Sequence, residues 1–351
     1  MVKHFFNIHS NITLLIAKQY IEDKGINTDD CILFLTRGYK IPQDISTIFK
    51  NTIAYPNDVF KGKSKRVFQD LNIIKGRRNI RILEDYINGF TNNGPFIFYY
   101  CNTIPKLYDF VSVSVTMKNC IGYYLLEEGS IVYFLDDSKM QIKMRGVKKL
   151  IFKVFLQTFL RRYELLRDNI YSTNSPKYKG CIAISEYAFP SYPKEKYIVS
   201  NPFTNIQLPY SPDYVMSIDP LYLFFDINVV KKLYQQLATF IKRKSDFKLA
   251  YKFHPAFYDN ADQYTDYKNI IKDIFGDKAI ELDRSIILEN VIISYRTTFF
   301  TDMSSVAIYA GLYGIKSYSY YKLIYGINKD YDKKLDFCFS NKRVASYYNI
   351  L

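Results

Sequence analysis

Three histidines occur in the 351 residues, and one of them, His254, stands directly before Pro255 in the run KLAYKFHPAFY. If DFKLAYKFH is a strand, alternation puts Lys252 and His254 on one face at its carboxyl end, where open α/β sheets bind ligands. Pro255 then breaks the strand and fixes the turn. An ammonium and an imidazole converging there can hold a phosphate, and the imidazole can give a proton to a leaving oxygen. The plainer alternative is a structural histidine before a loop proline. Further on, TDMSSVAIYAGLYG opens a small-residue helix with Ser304 and Ser305. Their hydroxyls and the first free backbone N–H groups form either an anion site or an ordinary N-cap. Earlier, LLEEGS ends an apolar run with Glu127 and Glu128 and turns at Gly129. Alternation lets only one of the two carboxylates face a cleft; the alternative is an acidic hairpin turn.

These groups need strands and helices to position them. VKHFFNIH, NITLLIAKQYIEDKG and CILFLTRG read as strand, amphipathic helix and strand, with Gly25 closing the helix. PFIFYYCN and GYYLLEEGSIVYFL read as further strands, and SKRVFQDLNIIKGRRNIRILEDYING as a basic helix. KKLIFKVFLQTFLRRYELLRDNIY predicts a long helix, with Leu150, Ile151, Val154, Phe155, Phe159, Tyr163 and Leu166 on one face packed on the first domain. Five of the twelve prolines (Pro190, Pro193, Pro202, Pro209, Pro212) fall within 190–212, which places the interdomain connection at 173–212 between domains 1–172 and 213–351. After it NVVKKLYQQLATFIKRK buries Val230, Leu233, Leu237, Phe240 and Ile241 as a helix. The alternation continues through YKNIIKDIFG, KAIEL, SIILEN, VIISY and SSVAIYAGLYG. Both halves are therefore α/β, and a two-lobed enzyme with a central cleft is the expected architecture.

Composition bounds the function. Hydrophobic residues at 48% against 23% charged describe a folded chain, and 48 Lys+Arg against 34 Asp+Glu leave a net charge of +14, which calls for an anionic partner. The five cysteines lie far apart without a C-x-x-C and read as buried thiols in a reducing compartment. No apolar run is long enough for a signal peptide or a membrane span, so a cytosolic protein is expected. Nucleotide motifs of the G-x-G-x-x-G and P-loop kinds are absent. LDDS at Asp136–Asp137 and DYD at 330–332 lack the setting of a metal-binding D-x-D.

Taken in order, acidic-acidic-Gly, Lys-x-His-Pro and Ser-Ser resemble the D/E-D/E-G, HP and serine motifs of the bacterial sialyltransferases. The resemblance implies a GT-B fold of two Rossmann-like domains facing a central cleft, the first for the acceptor and the second for the nucleotide sugar. It implies an inverting, metal-independent transfer of sialic acid from CMP-sialic acid to a hydroxyl of a bacterial surface glycan such as lipooligosaccharide, O-antigen or capsule. Glu127 would be the base, with Glu128 and Gly129 completing its motif. His254, Lys252, Pro255, Ser304 and Ser305 would hold the donor phosphate, and no cofactor or metal is required. Glu281 or Glu289 would hold the ribose, with Glu281 preferred because it closes a strand. His9, Ser10 and Asn11 follow the first strand and are placed either to touch the acceptor or to cap the next helix. SYSYYKLIYG is either a nucleotide-pocket wall or an aromatic core edge. The basic runs KGKSKR, KGRR, MRGVKK and LRRYELLR suit an anionic membrane leaflet carrying a lipid-linked acceptor, which would place the protein in the bacterial cytoplasm, peripheral to the inner membrane. A solvated basic face is the alternative. Two rival readings remain: a transferase of another CMP-sugar such as CMP-Kdo, and a basic nucleic-acid-binding protein, against which stands the lack of any recognisable module.

Overall fold

In the opening strand β1 (Lys3–Ile8), Phe5, Phe6 and Ile8 are all buried, the signature of a central parallel strand covered on both faces. It leads into helix α1 (Asn11–Asp23), whose N-cap Ser10 and Thr13 form a reciprocal capping box. At its other end Gly25, at φ +60°, donates to Glu22 and Ile26 donates to Ile21, which satisfies two final carbonyls in a Schellman arrangement. The strand β2 (Cys31–Leu35) follows, so the predicted β-α-β opening is present. The computed structural model describes residues 1–36, 39–42, 45, 47–54, 73–101, 114–133, 146–154, 157, 175–192 and 194–351.

The chain divides into two units, Met1–Pro202 and Phe203–Leu351. The first continues with β3 (Thr52–Ala54), α2 (Ile73–Thr91), β4 (Phe96–Cys101), β5 (Cys120–Leu126), α3 (Gly146–Val154), β6 (Tyr178–Ala183) and β7 (Lys196–Ile198). Among the described residues its seven strands pair in parallel in the order β3-β2-β1-β4-β5-β6-β7. The order runs one way from β1 and the other way from β4, so the topological switch lies between them.

The second unit runs β8 (Tyr214–Ile218), α4 (Ile227–Ile241), β9 (Leu249–Phe253), α5 (Ala261–Phe275), β10 (Ala279–Glu281), α6 (Leu288–Tyr295), β11 (Thr298–Thr301), α7 (Val306–Leu312), β12 (Ser317–Ser319), α8 (Lys329–Phe339) and β13 (Asn349–Ile350). Its six strands are also parallel, in the order β10-β9-β8-β11-β12-β13, with the switch between β8 and β11. Helix α4 starts at Asp226, whose side chain accepts the Asn228 N–H at 2.8 Å. It buries Val230, Leu233, Leu237 and Ile241 against the sheet, each worth about 1.5–3 kcal/mol of transfer energy, with Phe240 half-buried at the margin.

Three local expectations differ from the structure. Residues 178–198, inside the stretch assigned to the connection, supply β6 and β7; Pro190 turns the chain between them, and Pro209 and Pro212 precede β8. The strand expected through IVYFL stops at Leu126, because Gly129 at φ +54° turns the chain into a 3-10 turn over Ser130–Tyr133. On α3 the apolar residues Val147, Leu150, Ile151 and Val154 are exposed, at 73, 61, 48 and 52%, rather than packed on the domain. The rest of that predicted helix, with Phe155, Phe159, Tyr163 and Leu166, lies outside the described residues. All five cysteines are thiols, four of them buried, and among the described residues no helix is long and apolar enough to cross a membrane.

Candidate functional site

The chemistry-bearing side chains gather at the carboxyl ends of the strands in each unit. In the second unit Asp219 follows β8, His254 follows β9, and Asp302 and Ser304 follow β11. Pro255 has no N–H, so the first donor of the 3-10 turn Pro255–Asp259 is Ala256, and it donates to His254 Nδ1 at 3.2 Å. An accepting Nδ1 carries no proton, so the neutral ring carries its proton on Nε2. Desolvation lowers the imidazole pKa below its usual 6.5 and the Lys334 charge adds to this, while the Asp219 charge opposes it. His254 is thus a neutral hydrogen-bond donor, exposed at the end of its strand. The His-Pro pair shapes the turn.

The other predicted donor-side residues are distributed differently. Lys252 points its ammonium at the backbone carbonyls of Arg284 (3.1 Å) and Ile286, tying the loop after β10 to β9. Burial lowers its pKa, and Glu289 and Asp283 draw it back. Glu281 accepts from the Tyr264 hydroxyl at 2.6 Å and pairs with Lys268 at 2.9 Å, so α5 holds it. Glu289 is buried in the first turn of α6, and desolvation raises its pKa. Ser304 donates its N–H to Thr301 Oγ1 at 3.0 Å, and its own hydroxyl caps the Val306 N–H at 3.3 Å. Ser305 makes no side-chain cap bond. α7 has seven residues, so its dipole is short.

Beneath these groups lies a buried carboxylate pair that the sequence reading did not single out. Asp219 Oδ2 accepts from Ser217 Oγ (2.9 Å), Asp302 N–H (2.9 Å), Thr301 Oγ1 (3.2 Å) and the Tyr320 hydroxyl (3.2 Å). One oxygen therefore joins β8, β11 and the segment after β12. Burial pushes the Asp302 carboxyl up to about 7 and the Asp219 charge adds to this, while the hydrogen bond from Tyr331 opposes it. An acidic residue directly after an apolar strand, in SIDP and in FFTDM, was the available signal. Of SYSYYKLIYG, Tyr320 is fully buried on this carboxylate, so the aromatic core-edge reading describes it.

In the first unit the acidic pair splits. Glu127 is 0% exposed; its Oε1 accepts from the Tyr133 hydroxyl at 2.9 Å and its Oε2 from the Ile184 N–H at 2.7 Å. The turn at Gly129 brings Tyr133 back onto the carboxylate, so Glu127 locks the end of β5 to β6. Glu128 has the outward position, with 18% of its side chain exposed and Oε1 on His9 Nε2. His9 Nδ1 in turn lies 3.0 Å from Cys101 Sγ. Ser10 caps α1, and Asn11 Oδ1 accepts from the Tyr39 hydroxyl at 2.7 Å. Histidine, thiol and carboxylate come from the ends of β1, β4 and β5, at the switch point of their sheet.

No protein-family model matches the chain, and no curated protein does. Among solved structures it is similar to the GT-B domain of a sialyltransferase from Photobacterium damselae, at 10% identity over 100% of this chain and 99% of that one, with a TM-score of 0.54. It is also similar to MnaA of S. aureus in complex with UDP, at 11% identity over 91% of this chain and 79% of that one, with a TM-score of 0.51. At these identities the likeness speaks for the fold. The two parallel sheets and these neighbours give the chain a two-domain, Rossmann-like GT-B architecture.

Proposed function

We propose that the chain is an inverting glycosyltransferase that moves sialic acid from CMP-sialic acid to a hydroxyl of a bacterial surface glycan. The observation that carries this reading is the His254 imidazole at the strand ends of the second unit, whose pKa desolvation lowers and whose Nδ1 accepts from its own turn, leaving Nε2–H as the remaining donor. Departure of a nucleoside monophosphate builds negative charge on a phosphate oxygen, and preorganised donors stabilise that charge without reorganising. Nε2–H of His254 and the Ser305 hydroxyl supply such donors. The raised pKa of Asp302 limits the negative charge beneath them near neutral pH. Inverting transfer needs a base for the incoming hydroxyl as well, and the acidic pair of the first unit supplies carboxylates for it.

In this reading protein donors replace Mg²⁺ at the phosphate. Lys252 contributes by holding the loop after β10, since its ammonium is engaged by carbonyls. The exposed apolar face of α3 and the net charge of +14 support contact with an anionic leaflet bearing a lipid-linked acceptor. This is a peripheral location on the cytoplasmic side of the inner membrane. The test is nucleotide release in EDTA from CMP-sialic acid, CMP-Kdo and UDP-N-acetylglucosamine in parallel. CMP from CMP-sialic acid is expected. CMP from CMP-Kdo alone would change the donor, UDP release would overturn the assignment to CMP-sugars, and loss of activity in EDTA restored by Mg²⁺ would overturn metal independence.

A further inference from the structure

Three residues of metal-binding type meet at the carboxyl ends of β1, β4 and β5, which lie side by side in the sheet of the first unit. His9 stands one residue past β1, Cys101 ends β4, and Glu128 stands two residues past β5. Neighbouring strands run roughly 4.7–4.9 Å apart, so matching strand ends bring together side chains that are remote in sequence. One ligand atom from each, an imidazole nitrogen, a sulfur and a carboxylate oxygen, lies within 4.8 Å of the other two. Among the described residues no other group of three such side chains gathers this closely. His9 Nδ1 is 3.0 Å from Cys101 Sγ, and Nε2 contacts Glu128 Oε1. The backbones that carry the three are fixed by other bonds. His9 N–H donates to Thr13 Oγ1 at 3.3 Å, within the capping box of α1, and Cys101 pairs with Leu126 across β4 and β5. Glu127, which precedes Glu128, donates its N–H to the Ile182 carbonyl at 2.9 Å and is bonded through both carboxylate oxygens. Cys101 is 2% exposed and the His9 side chain 4%, whereas Glu128 reaches the surface at 18%. The sulfur end of the cluster is buried, and the carboxylate end is open.

We propose that His9, Cys101 and Glu128 form a binding site for one divalent transition-metal ion of the zinc class. Zn²⁺ takes thiolate sulfur at about 2.3 Å, imidazole nitrogen at about 2.0–2.1 Å and carboxylate oxygen at about 2.0–2.2 Å, in a tetrahedron. Bonds of those lengths put neighbouring ligand atoms roughly 3.3–3.6 Å apart. The sulfur and Nδ1 need open only slightly to reach that spacing, and Nδ1 is the nitrogen that binds the ion. The Glu128 carboxylate, partly exposed, swings from Nε2 to the metal. Three protein ligands leave the fourth position to water or a small ligand. Mg²⁺ and Ca²⁺ prefer all-oxygen sites, so the sulfur selects against them. On binding, the Cys101 S–H bond breaks, its proton goes to solvent, and the sulfur's electron pair forms the bond to the metal. Thiolate and carboxylate then offset the two positive charges. The site uses first-unit residues alone, so it does not depend on the transferase reading. It adds a metal that the proposed transfer does not call for.

The test is a Co²⁺ titration of the full chain after EDTA treatment and desalting, since cobalt reports thiolate ligation by a charge-transfer band and four-coordination by its visible d–d bands. One ion per chain with both signals is expected, displaced by Zn²⁺ and not by excess Mg²⁺. Cys101→Ser should abolish the charge-transfer band. His9→Gln and Glu128→Gln should each weaken binding by about 10-fold or more, because losing even an outer partner of a ligand costs that much. Cys338→Ser, which alters the one thiol that is not buried, should change neither band nor affinity. X-ray absorption of the zinc-loaded parent should show one sulfur at about 2.3 Å, with nitrogen and oxygen at about 2.0–2.2 Å. Should Cys101→Ser fail to fold, the parent's cobalt and X-ray spectra still decide whether sulfur binds, and Glu128→Gln, at a partly exposed position, still decides the carboxylate. No thiolate band in the parent, a band that survives Cys101→Ser, or full affinity in either His9→Gln or Glu128→Gln would overturn the site.

Discussion

Replacing Glu127 by alanine removes a fully buried carboxylate that accepts one hydrogen bond from Tyr133 and one from the Ile184 backbone. The Ile184 N–H loses its acceptor inside the fold, at about 1–3 kcal/mol, and the Tyr133 hydroxyl loses this partner at the low end of the same range. One buried methylene goes as well, at about 0.8 kcal/mol. The sum is on the order of 4 kcal/mol, and at roughly 2–4 °C per kcal/mol for a domain of this size the melting temperature should fall by about 8–16 °C. Glu127→Gln should cost far less. Its carbonyl can still accept from Ile184, and its NH₂ can donate to Tyr133, whose hydroxyl reverses; what is lost is the charge assistance, at about 1 kcal/mol. Glu128→Gln keeps an acceptor for His9 and should melt within about 2 °C of the parent. Thermal unfolding of the full chain followed by circular dichroism reads all three. Glu127→Ala melting with the parent, or Glu128→Gln melting as low as Glu127→Ala, would refute the division into a lock and an outward carboxylate.

In the second unit Asp302 keeps its proton up to about pH 7, against 3.8 when free, so the folded chain binds the extra proton and stability falls as pH rises between those values. The slope is at most about 1.4 kcal/mol per pH unit, and His254, whose pKa is lowered, contributes the opposite slope as pH falls through its own range. Urea midpoints of parent and Asp302→Asn should therefore converge or cross with rising pH; parallel curves would contradict the shift. His254→Asn should keep the melting temperature, because an Asn oxygen can still cap the Ala256 N–H, yet lose about 10²-fold in turnover. Equal turnover would remove His254 from the phosphate. Leu150→Lys with Ile151→Lys should weaken sedimentation with phosphatidylglycerol vesicles, through loss of exposed apolar area that a salt titration does not mimic. Binding equal to the parent's would leave charge alone responsible.

The β-α-β opening, the buried face of α4 and the parallel organisation of both halves were legible in the sequence, because caps, turn glycines and apolar period are local signals. Which carboxylate of the acidic pair faces outward was not. Strand β5 is buried along most of its length on both faces, so alternation separates two covered layers and does not distinguish core from solvent. The same reason explains Lys252, which lies on a strand otherwise buried throughout and turns to the carbonyls of Arg284 and Ile286. The roles of Asp219 and Cys101 depend on partners 82 or more residues away, Thr301 for one and His9 for the other. No local pattern encodes those contacts. Ser304 was legible as a cap, and Pro255 was legible as a break; that the histidine before it would cap the turn with Nδ1 follows only from the fold.

The central claim, inverting transfer from CMP-sialic acid, can be tested without knowing the acceptor, because water can take the sugar slowly in its place. Proton NMR of the chain incubated with CMP-sialic acid in EDTA follows CMP and both anomers of free sialic acid from the first minutes, before the anomers equilibrate. The account predicts that CMP appears together with the anomer whose configuration is opposite to the donor's, and that His254→Asn suppresses both. First appearance of the retained anomer, or a donor left intact while a UDP-sugar is consumed under the same conditions, would contradict it.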